Sequence, residues 1–259
     1  MSFRAVDKKT VGSVVAEWDA LAPVRYEQIT SGRDVTYCRI LIPNIIRLIT
    51  PLKPKAILDA GCGVGLLAEH LRALAPQVVG IDPSAKGIAI AQANCKEDIE
   101  FLQLTMEAYA EKTHQSFDVV IANMVLMDVL DLSSFLNAVS KVLRPNGALI
   151  FSCTHPWFWP SYYGYGSASW FQYDREIVIE SPFRISADSE CVLVSTHVHR
   201  SLEIYVSAFQ AAGLFLKVLR EPMPSPEINT LYPQPWKYPR YIIGVCNSEP
   251  ERMRHIDLL

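Results

Sequence analysis

Three glycines and two carboxylates in this chain stand at spacings that suit a nucleoside. In residues 57–65, ILDAGCGVG, Gly61, Gly63 and Gly65 alternate directly after an apolar run that carries Asp59 near its end. Asp82 closes the next apolar run, VVGID, 21 residues after Gly61. Glycine lets a backbone turn sharply and approach a ligand closely, because it has no Cβ. A carboxylate one strand further on accepts both hydrogen bonds of a ribose diol. Asp59, at a strand end before the turn, suits a cationic amino group, directly or through water. The elements that must hold these groups follow from the same stretch. AILDAG is apolar enough for a buried parallel strand, LLAEHLRAL has apolar residues at helical spacing, and VVGID returns as a second strand. The unit is βαβ.

The glycine spacing narrows the nucleoside. A dinucleotide site needs GxGxxG, with amides aimed at a pyrophosphate, but Leu66 stands where the third glycine would fall. A ligand with a ribose and a cation but no phosphate remains, and S-adenosylmethionine has both features. DAGCGVG with its downstream acid resembles the first two motifs of the class I S-adenosylmethionine-dependent methyltransferases of the small-molecule type. QSFDVVIANMVLMDVLDL resembles their fourth-strand motif, and VSKVLRPNGALIFSCTHP the helix, turn and fifth strand that follow. In RPNG, Pro145 pre-sets one turn dihedral and Asn146-Gly147 is expected to supply a positive-φ pair. HRSLEIYVSAFQAAG predicts a helix closed by Gly213, and YIIGVC a last strand.

The resemblance covers about residues 10–247 and implies a Rossmann-like α/β three-layer sandwich. Its seven-stranded, mostly parallel sheet has order 3-2-1-4-5-7-6, with N-terminal helices and an aromatic-rich insert after strand 5. It implies S-adenosyl-L-methionine as cofactor, held by Tyr26, Asp59, Gly61, Cys62, Gly63, Gly65, Asp82, Pro83, Thr105, Met106, Glu107 and Asn123. The chain departs from the family pattern at two places. Thr105 and Met106 stand where many members carry an Asp for the adenine amine, so adenine recognition is expected from backbone groups and Met106 packing. Asn123-Met124-Val125-Leu126 replaces the Asn/Asp-Pro-Pro-aromatic signature that holds a flipped base.

Composition sets bounds. With 259 residues, half of them hydrophobic, the chain can bury a large core, and one domain over 1–259 is expected. Within it, 1–50 forms a helical cap and 154–198 an insert on the substrate side. A net charge of −3, with no basic run longer than two residues, excludes a nucleic-acid polyanion as main partner. The six cysteines are dispersed without metal-ligand spacing and read as reduced thiols of a cytoplasmic protein. LIPNIIRLI is too short and too interrupted to span a bilayer, so no membrane partner is expected. The proline-dense segment 221–239 predicts an extended arm.

Two regions outside the scaffold must choose the acceptor. In the N-terminal stretch two helices flank a loop at residues 29–34. There Tyr26 is the aromatic placed near the methionine end, and Trp18 reads as a packing residue. In the second region, residues 156–173 hold nine of the chain's 26 aromatic residues. Exposed, that density would invite aggregation, so it packs onto the sheet or lines a ligand cavity, and the carboxyl end of a strand favours the cavity. Trp157 and Tyr163 are its acceptor-contact candidates. His155, directly after the fifth strand, and His199, at a strand end before a helix, are candidate bases near neutral pH. His197 shares a strand face with His199, and Asp128 stands where relatives carry a histidine pair; both are expected to touch substrate. The expected reaction is methyl transfer to an oxygen or nitrogen of a small-molecule metabolite. The alternatives are a same-fold enzyme that consumes S-adenosylmethionine differently, such as by intramolecular cyclisation, and a non-catalytic cofactor-binding sensor.

Overall fold

Buried strands with no polar face need partners on both sides, and this requirement organises the sheet. The computed structural model describes residues 3–95, 98–186 and 191–248. β2 (Ala56–Ala60) is buried throughout and pairs in parallel with β3 (Gln77–Asp82) on one side and β5 (Phe117–Asn123) on the other. β4 (Glu100–Gln103) extends the sheet beyond β3, and β6 (Leu143–Thr154) beyond β5, both in parallel. β10 (Tyr241–Ser248) then runs antiparallel beside β6, and β9 (Leu214–Arg220) antiparallel beside β10. The order β4-β3-β2-β5-β6-β10-β9 is the expected 3-2-1-4-5-7-6 when the strands of this sheet alone are counted.

Period-two alternation sends neighbouring residues into different layers. Ile57, Val119 and Ile121 pack with Ile45 and Ile49 of α2 (Ile42–Ile49), with Leu67 and Leu71 of α3 (Leu66–Arg72), and with Ile88 of α4 (Ala85–Asn94). Leu58 and Val120 face the other layer. There they join Tyr109 of α5 (Met106–Lys112), Phe135 and Val139 of α6 (Leu132–Val142), and Tyr205 and Phe209 of α8 (Leu202–Ala211). The turn between α6 and the body of β6 differs from expectation in one respect. Only Asn146 is left-handed, at φ 63°. Gly147 is required by close approach instead, since a Cβ there would lie 2.8 Å from the Arg144 carbonyl oxygen.

The insert builds a second sheet. After β6 come α7 (Phe158–Tyr163), β7 (Ile177–Pro182) and β8 (Val194–His199), and β1 (Arg4–Ala5) joins them antiparallel in the order β1-β7-β8. α1 (Val11–Thr30), opened by a Thr10/Ser13 capping box, is fastened to this sheet by Glu17, which accepts hydrogen bonds from the backbone N–H and the hydroxyl of Thr196. Segment 221–239, expected as an extended arm, is a packed strap. It contains α9 (Pro226–Asn229) and buries Tyr232 and Trp236 in the α2–α4 layer. Among the described residues, no helix is long and apolar enough to cross a membrane.

One buried cation ties the insert to the main sheet. Arg200, 1% exposed, donates from Nη1 to the Leu126 carbonyl (3.0 Å) and from Nη2 to those of Val129 (2.8 Å) and Leu130 (3.2 Å), and Nε pairs with Glu176. It fixes the loop after β5 in place. Arg200→Met removes the donor for three carbonyls at once, so a loss of about 3 kcal/mol or more is expected in urea unfolding. Unchanged stability would show that the loop is held by its other contacts.

Candidate functional site

The carboxyl ends of β2, β3, β5 and β6 converge on a cavity of about 840 Å3. Its floor is the glycine turn. Gly61, Gly63 and Gly65 all take positive φ, at 82°, 54° and 81°. A Cβ at Gly61 would stand 2.4 Å from Val125 and one at Gly65 2.7 Å from Ala91, whereas one at Gly63 would meet nothing within 4 Å. Gly63 therefore presents bare backbone to open space. Asp82 locks this turn, because its Oδ2 accepts the Gly63 N–H (2.9 Å) and its Oδ1 the Ser84 N–H (2.8 Å). Each oxygen keeps further lone-pair capacity. Asp59, 1% exposed, lines the same end, and its Oδ2 has no hydrogen-bond partner.

A roof closes over this floor. On α1, Asp19 accepts hydrogen bonds from the Ser84 hydroxyl (2.6 Å) and the Lys86 N–H (2.9 Å), which brings Trp18 and Arg25 to the cavity wall. A π-helical turn, Tyr37–Leu41, swings Tyr37 to the cavity as well. On the far side stand Trp159, Tyr162 and Tyr163 of α7, Phe183 after β7, His197 of β8, and Arg240 before β10. Asp128 lines the wall between the two ends.

Comparison with known proteins agrees with this geometry. Residues 58–151 match a family model described as a methyltransferase domain. The human mitochondrial ubiquinone biosynthesis O-methyltransferase is 41% identical over 105 residues, which are 38% of this chain and 28% of that protein. The ubiquinone biosynthesis O-methyltransferase of Pseudomonas entomophila is 33% identical over 141 residues, 53% of this chain and 61% of its own length. The chain thus spans less than two thirds of each. Among solved structures, an S-adenosylmethionine-dependent methyltransferase from Clostridium acetobutylicum superposes with TM-score 0.62 at 14% identity, covering 90% of this chain and 99% of that one. The 1,6-didemethyltoxoflavin-N1-methyltransferase of Burkholderia thailandensis, solved with 1,6-didemethyltoxoflavin and S-adenosylhomocysteine bound, gives TM-score 0.57 at 16% identity, covering 96% and 95%. Residues 58–151 thus correspond to a methyltransferase domain, and the fold around them is that of S-adenosylmethionine-dependent methyltransferases.

The cavity gathers most of the candidates. Asp59, Gly61, Cys62, Gly63, Asp82, Pro83, Thr105, Met106, Glu107 and Asn123 line it, as do Asp128, Tyr163 and His197. Met106 is buried, Thr105 caps α5 by accepting the Ala108 N–H, and Asn123 accepts from the Ser152 hydroxyl. Gly65 shapes the turn from outside the cavity wall. Tyr26 does not reach the cavity; Arg25 beside it and Tyr37 do. A π-helical turn leaves no readable signature, so Tyr37 could not be found from spacing.

Three expectations on the insert are corrected by packing. His155 does not line the cavity. Its Nδ1 accepts the N–H groups of Trp157 (3.1 Å) and Phe158 (3.3 Å), and its Nε2 lies 2.7 Å from Glu221, so it anchors the start of α7. His199 lies opposite Ile177 at the far end of the β7–β8 ladder, where its Nε2 meets the Tyr173 carbonyl (3.0 Å). Trp157 is 62% exposed and rests edge-on against Tyr173, outside the cavity, whereas Trp18, expected only to pack, lines it.

Burial governs the electrostatics of the cavity. It pushes the Asp59 carboxyl up to about 7, with the Asp82 charge adding to the effect, and raises Asp82 against the pull of its two amide hydrogen bonds. Burial also raises Asp128 well above the usual carboxylate range, aided by Glu17 and Asp82. His197 is driven down to about 3 by burial, His199 and Arg200, so its ring is neutral and shares a 3.0 Å hydrogen bond with the Tyr165 hydroxyl. An acid whose folded pKa is raised binds more protons folded than unfolded, so its contribution to stability falls as pH rises between the two values. Asp59→Asn should match the parent near pH 4 and gain on it steadily, up to a plateau above pH 7. Unfolding curves from pH 4 to 8 measure that difference, and a constant offset would contradict the buried, unpaired carboxyl.

Proposed function

We propose that the protein transfers a methyl group from S-adenosyl-L-methionine to an oxygen or nitrogen of a small-molecule acceptor. The observation that carries this reading is the pair of strand-end carboxylates, Asp59 and Asp82, that bracket the glycine turn at one end of a cavity lined by aromatic residues at the other. A volume near 840 Å3 lies in the upper part of the roughly 300–1,000 Å3 range of small-molecule pockets, which suits two ligands side by side.

The residues fit the cofactor on their own chemistry. Asp59 Oδ2, buried without a partner, asks for a cationic donor such as an amino acid's ammonium group. Asp82 retains lone pairs for ribose hydroxyls, bare Gly63 allows close approach, and buried Met106 offers an apolar surface for a flat base. When bound, S-adenosylmethionine supplies an electrophilic methyl on a sulfonium sulfur. The chain's part is to align the acceptor with that methyl and exclude water, for which α1 with Tyr37 on one side and α7 with Phe183 and His197 on the other wall the cavity. Asp128 takes the acceptor's proton where the nucleophile arrives protonated, and its raised pKa makes the ionised form a stronger base. His197, tied to Tyr165, orients rather than titrates.

Two outcomes test this assignment. Asp82→Ala should weaken S-adenosylmethionine binding by roughly 1.5–3 kcal/mol in calorimetry on the folded variant, the scale of a lost charged hydrogen-bond partner. Unchanged affinity removes the ribose role. Asp128→Asn should lower acceptor turnover by about 10²-fold and abolish a rising limb of the pH–rate profile centred above the usual carboxylate range. A profile unaltered by the substitution assigns the base elsewhere.

A further inference from the structure

The cavity is electrically two-ended. Asp59 and Asp82 serve the glycine end and Asp128 the wall between, while the opposite end carries Arg240 and the exposed Arg184. Arg240 is 5% exposed, and no carboxylate among the described residues pairs with it. The contrast with its neighbours is direct, since Arg25 is neutralised by Asp34 at 2.8 Å and Arg200 by Glu176. A buried cation without a counter-ion costs several kcal/mol unless something else compensates it. Here aromatic faces do part of that. The guanidinium carbon lies 3.7 Å from the centre of the Tyr162 ring, 4.8 Å from that of Trp236 and 5.5 Å from that of Tyr232.

The plane of the guanidinium is fixed by two hydrogen bonds, from Nη1 to the Ser186 hydroxyl (3.3 Å) and from Nη2 to the Gln234 carbonyl (2.8 Å). Of its five N–H donors, hydrogen bonds to described residues use two, so the group is oriented with donor capacity left. Its position is set by the sheet. Arg240 precedes Tyr241, which pairs with Thr154 at the carboxyl end of β6, and its own carbonyl accepts the His155 N–H (2.8 Å). Trp159 and Tyr163, stacked at 4.7 Å, form the adjoining wall.

We propose that Arg240 is a specificity-determining residue that binds an anionic group, carboxylate or phosphate, on a planar acceptor whose ring lies against Trp159, Tyr162 and Tyr163. This rests on the reading of the cavity as a methyltransferase site. A guanidinium held flat offers the fork that carboxylate and phosphate oxygens match, and a dry aromatic surround strengthens the pairing. The acid-lined end and the arginine end then sort the two ligands by charge, a cation to one and an anion to the other.

The test uses binding without turnover. With the full chain saturated in S-adenosylhomocysteine, benzoate, phenyl phosphate and neutral benzamide are titrated by calorimetry and tryptophan fluorescence. Benzoate or phenyl phosphate should bind at least tenfold more tightly than benzamide, and whichever is tighter separates carboxylate from phosphate. Arg240→Gln should erase that preference, Arg240→Lys should keep part of it, and neither should change S-adenosylhomocysteine affinity more than twofold. Equal affinity of the three probes for the parent protein, or binding of none, overturns the proposal regardless of how the variants fold. A parallel loss of S-adenosylhomocysteine binding in a folded Arg240→Gln variant also overturns it, because Arg240 would then serve the cofactor. Failure of the parent to bind S-adenosylhomocysteine, with anion preference retained and dependent on Arg240, removes the methyltransferase reading and leaves the anion site.

Discussion

The Asp82 carboxylate is the constraint on which the site depends. It accepts the Gly63 N–H across the glycine turn and the Ser84 N–H at the start of α4, so one side chain fixes both the loop that follows β2 and the helix that follows β3. The turn is held from the strand as well, by the N–H groups of Gly61 and Cys62 donating to the Ile81 carbonyl. A carboxyl buried for this purpose has its pKa raised, and its spare lone pairs face the cavity because the amides occupy only one side of each oxygen.

Polar contacts fasten the roof beside the apolar layer that Trp159, Tyr165 and Ile179 share with the main sheet. Asp19 reaches α4, Glu17 reaches β8, and Arg200 clasps the loop after β5. Lys9 links Glu17 to Glu180, and Arg4 also pairs with Glu180, so the edge strand, α1 and the small sheet share one charge cluster. Such contacts have defined geometry, so they set the angle at which the roof meets the sheet. The β5–β6 core behind them packs apolar residues on both faces and carries the stability.

The aromatic insert resolves into two parts with different physics. His155, Trp157, Phe158 and Tyr173 form an outer shell that anchors α7, whereas Trp159, Tyr162 and Tyr163 turn inward. The six-residue helix groups the inward rings, because Tyr162 and Tyr163 stand three and four positions after Trp159 and so share its face. Composition alone marks the segment as aromatic; the helical phase decides which rings meet a ligand.

What the sequence by itself determined is what lies close along the chain. The βαβ unit, the glycine turn, and Asp59 and Asp82 at strand ends were legible because each rests on contiguous periodicity or residue type, whereas the order of the large sheet followed from the family resemblance those motifs carry. The second sheet escaped notice, since its β1 strand has two residues and pairs with a partner some 175 positions away. Tyr37 in place of Tyr26, the anchoring duty of His155, and the aromatic surround of Arg240 were likewise invisible. Each depends on a partner distant in sequence: Asp59 near Tyr37, Glu221 beside His155, Tyr162 over Arg240. Burial and pairing, which decide whether a histidine titrates or an arginine seeks an anion, exist only once the chain has folded those partners together.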